Sequence, residues 1–126
     1  MVRRITEAID RGDLDGALAI ANPPPEFEFV LSGLLIPDLM AVQRGPEGLR
    51  RAAEVFWGEF DDPRIEVHEL IDAGDQVFVS ATFWGRGKQS GAETSWDTWG
   101  VWTVLDGRLV RFQGFTDRDP ALEAAG

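Results

Sequence analysis

At 126 residues, 44% hydrophobic and 27% charged, the chain is long enough for one packed core and too short for two. Its formal charge is -10, from 12 basic and 22 acidic residues with the basic ones dispersed, so it offers no clustered positive face to a phosphate backbone, which argues against nucleic acid as a partner. With no Cys, no Tyr and a single His (His68), thiol chemistry, a tyrosine donor and any multi-His metal site are excluded, and no cofactor or metal is expected.

The N-terminal third reads helical. Val2, Ile5, Ala8 and Ile9 recur at helical spacing, as do Leu14, Ala17, Leu18 and Ala21. Between them, Arg11-Gly12-Asp13 reads as a turn with Asp13 as the cap of the second helix, and Asn22-Pro23-Pro24-Pro25 stops that helix. The start, Met1-Val2-Arg3-Arg4, leads to Glu7 and Asp10 in place of an apolar stretch. No later apolar run reaches spanning length, so a cytoplasmic protein without membrane contact is expected.

Glu26 to Leu31 alternates acid with aromatic, the pattern of a strand with one buried face. Ser32 to Arg44 reads as a mobile loop with at most one helical turn, of a length that often borders a pocket. Pro46 then opens a helix whose stripe is Leu49, Ala52, Ala53, Phe56 and Phe60, ended by Pro63.

From Arg64 the period changes from 3.6 to 2. Ile65, Val67 and Ile71 lead to the turn Ala73-Gly74-Asp75. Val77, Val79, Ala81 and Phe83 then alternate with Phe78, Ser80, Thr82 and Trp84. The glycine-rich stretch Gly85 to Gly91 has no strand–loop–helix context and reads as a hairpin loop, not a phosphate cradle. A strand from Thr94 to Val104 follows, then the hairpin signal Asp106-Gly107, then a strand from Leu109 to Thr116. Asp119-Pro120 opens a short helix with Asp119 as cap. Helices segregated from a four-strand antiparallel meander define an α+β domain over residues 1–126.

This order resembles the nuclear transport factor 2-like superfamily, and particular runs resemble its SnoaL-like branch. They are Arg11-Gly12-Asp13-Leu14, Arg44-Gly45-Pro46-Glu47-Gly48-Leu49, Ile71-Asp72-Ala73-Gly74-Asp75-Gln76-Val77, and Val101 through Phe112. The resemblance implies a cone-shaped domain in which helices close a curved sheet over a pocket, and a homodimer through the outer sheet face. Placing Val77, Val79, Ala81 and Phe83 inward leaves Phe78 and Trp84 outward, more aromatic surface than a monomer exposes.

The superfamily hosts several chemistries, and function follows from the site, not the fold. An isomerase of the ketosteroid type needs a carboxylate base and an oxyanion hole whose usual donor is Tyr, absent here. A dehydratase of the scytalone type relies on paired His and Tyr, also absent. The His and Asp that the SnoaL-like cyclases resembled here use fall on Gly100 and Gly114, which carry no proton-transferring side chain. An epoxide-hydrolase arrangement of the limonene type retains Asp97 with Arg86 or Arg111, and Asp117 at the end of the last strand is the other carboxylate candidate; both also read as polar interface or helix-cap residues. His68, between Glu66 and Glu69, reads as a strand-surface residue.

What remains is an apolar aromatic pocket for a small hydrophobic molecule, lined by Phe29, Phe56, Phe83, Trp96, Thr98, Trp102, Phe112 and Thr116. Three readings stay open: a small-molecule-binding protein, an enzyme using noncanonical carboxylates, and a non-catalytic dimeric accessory module.

Overall fold

The computed structural model describes residues 1–32, 42–58 and 60–126. The helices are α1 (Val2–Asp10), α2 (Leu14–Ala21), α3 (Gly45–Gly58) and α4 (Arg118–Ala125). The strands are β1 (Glu28–Ser32), β2 (Gln43–Arg44), β3 (Phe60–Ala73), β4 (Gln76–Gly87), β5 (Glu93–Leu105) and β6 (Arg108–Phe115). They form one sheet in the order β2-β1-β6-β5-β4-β3, antiparallel except where β1 runs parallel to β6. The result is an α+β fold of four helices on a six-stranded mixed sheet.

Local chemistry sets the helix ends. Gly12, at φ +76°, turns the chain out of α1, and the Asp13 carboxylate then accepts the Gly16 N–H at 2.9 Å to cap α2. Asn22 closes α2 in the left-handed region before the three prolines. Asp106 and Gly107, both at positive φ, make the β5–β6 hairpin that this dipeptide favours.

Alternation along the meander sorts side chains to two faces. Val77, Val79, Ala81 and Trp102 join Phe27, Phe29, Ile65 and Leu109 in the main core beneath α1–α3, through Val2, Ile5, Ala8, Ala17, Ala21 and Ala52. The opposite face carries a second core in which Phe78, Val101 and Phe115 pack against Ala121 and Ala125 of α4. Phe78, expected to face outward and open, is fully buried because α4 folds back over that end of the sheet. Arg118 anchors this helix, donating to Glu69 through Nε at 3.2 Å and Nη2 at 3.1 Å, with its guanidinium 5.7 Å from the centre of the Phe78 ring. That hydrogen bonding, then the charge of the Glu69 carboxylate, raises the Arg118 pKa above its ordinary value.

Four local expectations are corrected. Helix α3 ends at Gly58, so Phe60 belongs to β3, and Pro63 sits at an irregularity between Asp61 and Arg64 where a missing N–H costs no ladder bond. The last two residues of the segment read as a loop form β2, paired with β1; its residues 33–41 lie outside the described residues. Gly85 and Gly87 are part of β4, where a Cβ on Gly85 would stand 2.7 Å from Cβ of Phe60. The cap of α4 is Asp117 and not Asp119, which places Pro120 in the first turn, where its missing N–H is harmless.

Candidate functional site

The inner face of the sheet and the three helices above it enclose a cavity of about 110 Å³. Its floor is built by strand alternation. Phe29 and Leu31 of β1, Phe112 and Gly114 of β6, Thr98 and Trp102 of β5 and Phe83 of β4 all point to this side. Its roof comes from helical spacing, with Ile5 and Ile9 of α1, Leu14, Ala17 and Leu18 of α2, and Leu49 and Ala53 of α3. Phe29 stacks on Phe112 at 4.9 Å between ring centres, and Trp102 meets Phe112 nearly perpendicular at 5.5 Å.

Two glycines shape the floor. Gly100 and Gly114 are direct cross-strand partners, both facing inward. A Cβ on Gly100 would lie 2.9 Å from Phe112 Cε2 and 3.2 Å from Trp102 Nε1, so the two rings occupy the space a side chain would take. No proton-transferring group can stand there while the rings keep these positions.

Of the residues expected to line a pocket, Phe29, Phe83, Thr98, Trp102 and Phe112 line this cavity. Trp96 is on the same face but nearer the β4–β5 hairpin, packed on Phe60 at 5.3 Å and Phe83 at 5.8 Å, outside the lining. Thr116 is exposed just past the end of β6 and does not reach it. The side chain of Phe56 lies outside the described residues. The sheet-side residues were accessible to alternation, whereas the helix-side lining (Ile5, Ile9, Leu14, Leu49 and Ala53 among it) carried no signal separating a roof from ordinary core.

Neither carboxylate candidate is at the cavity. Asp117 is exposed at the start of α4, without a side-chain cap bond. Asp97 is on the outer face of β5, where its Oδ1 accepts from Thr82 Oγ1 at 2.7 Å. Thr82 Oγ1 lies 2.6 Å from His68 Nε2; because the hydroxyl proton goes to Asp97, the imidazole N–H donates to Thr82. The chain His68–Thr82–Asp97 spans three strands, with His68 at the bulge between Val67 and Glu69, where it has no partner in the ladder. Neither Arg86 nor Arg111 joins Asp97. Arg111 instead donates to Gln113 at 3.1 Å and lies 4.0 Å from Glu28. Among the described residues no group of three or more His, Asp or Glu could hold a metal ion, and no helix is long and apolar enough to cross a membrane.

Four helices packed on a six-stranded open mixed sheet in this order are the nuclear transport factor 2-like class of domain. Solved structures agree on the fold. A nuclear transport factor 2-like protein from Burkholderia thailandensis is 26% identical, with a TM-score of 0.76 over 98% of this chain and 91% of that one. A second, of unknown function, from Burkholderia pseudomallei is 23% identical, with a TM-score of 0.76 over 98% and 90%. A SnoaL-like polyketide cyclase assignment from Mesorhizobium loti is 26% identical, with a TM-score of 0.62 over 89% and 92%. No curated protein sequence matches the chain. The model of the SnoaL-like domain matches residues 2–112, and the chain therefore belongs to the SnoaL-like family.

Proposed function

We propose that this SnoaL-like protein binds a compact, uncharged, apolar molecule in the cavity between α1–α3 and the sheet, without a side-chain acid or base acting on it. The observation that carries this reading is the lining: aliphatic and aromatic throughout, with Thr98 the one hydroxyl and no carboxylate or cation among the described residues around it. General acid–base catalysis needs a titratable group within hydrogen-bond reach of the substrate, and Asp97 and Asp117 both lie elsewhere. Size narrows the ligand further. An apolar cavity of about 150 Å³ accommodates benzene, so about 110 Å³ takes at most a single ring and not a fused polycycle.

Titration with toluene, followed by ¹H–¹⁵N spectra, tests the reading. Saturable shifts at Thr98, Trp102 and Gly114 are expected. No saturable shift up to the solubility limit of toluene would overturn it.

We also propose that two copies associate through the part of the outer sheet face that α4 leaves open. Trp84 there is 38% exposed, opposite Ser95 of β5. Sedimentation equilibrium should give twice the chain mass for the native protein and a monomer for Trp84→Glu; a native monomer refutes this.

A further inference from the structure

The cavity has a polar feature that its apolar lining conceals. Trp102 is 8% exposed, and its indole Nε1 sits over Gly100, 3.2 Å from where a Cβ would be. None of the described residues accepts a hydrogen bond from this N–H. Among the same residues, no fully enclosed side-chain nitrogen or oxygen is without a partner, so Nε1 opens onto accessible space; on the inner face of β5 that space is the cavity. The perpendicular contact with Phe112 supplies only a weak π acceptor compared with an oxygen.

A buried indole N–H normally finds a partner, and water is poorly suited to the role. A buried water is held by about three hydrogen bonds, whereas among the described residues the side chains around this cavity offer only the indole N–H and the Thr98 hydroxyl. Gly100 is what makes the geometry possible, since any side chain there would displace the indole edge or cover it.

We infer that the ligand carries one neutral hydrogen-bond acceptor, a ketone-type oxygen on an otherwise apolar ring, and that Trp102 Nε1–H donates to it. Trp102 is thereby the specificity-determining residue of the cavity. This inference rests on the proposed binding role, and the test separates the two.

Cyclohexanone and methylenecyclohexane have nearly the same shape and differ in C=O against C=CH₂. The ketone gives up water on entering the cavity and the alkene does not, so the indole N–H is read from the ketone-to-alkene affinity ratio of the native protein against that of Trp102→Phe, where it should be worth about tenfold. On ketone binding, the Trp102 Nε1 proton should move downfield; with the alkene it should not. Trp102→Phe should lower the ketone-to-alkene affinity ratio about tenfold, and Thr98→Val should preserve it. A ratio that survives Trp102→Phe, or a ratio lost in Thr98→Val, overturns the assignment, while saturable toluene binding leaves the binding role standing. If toluene and both cyclic compounds fail to bind, both conclusions fall. Should Trp102→Phe not fold, the Nε1 shift in the native protein decides alone.

Discussion

Filling the cavity from the helix side should stabilise the protein and close it to ligand. Ala53 on α3 lines the roof, and α3 tolerates leucine at an interior position with little loss of helix propensity. At about 24 cal/mol per Å³, a void of about 110 Å³ corresponds to roughly 2.6 kcal/mol of lost packing. Ordering the added side chain costs about 0.5–1 kcal/mol. Ala53→Leu should therefore raise the unfolding free energy by about 1–2 kcal/mol. For a chain of this size that is an increase in Tm of about 4–8 °C. Urea unfolding at constant m-value measures the first quantity and toluene titration the second, where affinity should fall at least about tenfold because the methyl groups occupy the ring's place. A variant destabilised by more than about 1 kcal/mol with unchanged toluene affinity would refute the reasoning, since it would mean that Ala53 adjoins close-packed atoms and that toluene binds elsewhere.

Thr82→Val keeps the shape of a side chain that is 8% exposed but removes the hydroxyl linking His68 to Asp97, at a cost of about 1–3 kcal/mol by urea unfolding; Thr82→Ser should recover most of it. Phe78→Ala empties the centre of the second core and should cost about 3–5 kcal/mol, with amide exchange of α4 rising more than that of α1. Faster exchange confined to α1 would contradict the placement of Phe78 beneath α4.

The legible parts of this fold were those governed by one local rule. Period-two alternation assigned Val77, Val79, Ala81 and Phe83 to one side and Thr82 and Trp84 to the other. Turn chemistry located Asp13 and Asp106-Gly107. The misread parts involve competition between rules or contacts between distant segments. Pro63 looks like a helix stop, yet it is accommodated within β3 because the ladder is irregular there. Phe78 looks exposed from alternation alone, and only the return of α4 covers it. The His68–Thr82–Asp97 chain was hidden because alternation gives a side chain's face but not which residues stand across from it on β4 and β5, and the bulge at His68 shifts that register by one. At the site, the inward direction of Phe29, Thr98, Trp102 and Phe112 follows from strand period, but an empty volume depends on how helix and strand side chains fail to meet, which no single segment encodes.

The parallel pairing of β1 with β6 also orders events during synthesis. The meander from β3 to β6 joins neighbours through short turns and can zip as the chain emerges. By contrast, β1 has its ladder partner in the last strand, Glu28 opposite Arg111 and Phe29 opposite Phe112. The β1 ladder therefore stays incomplete until nearly the whole chain has left the ribosome. That interval, and not the finished domain, is where this sequence is most exposed to aggregation and to chaperones.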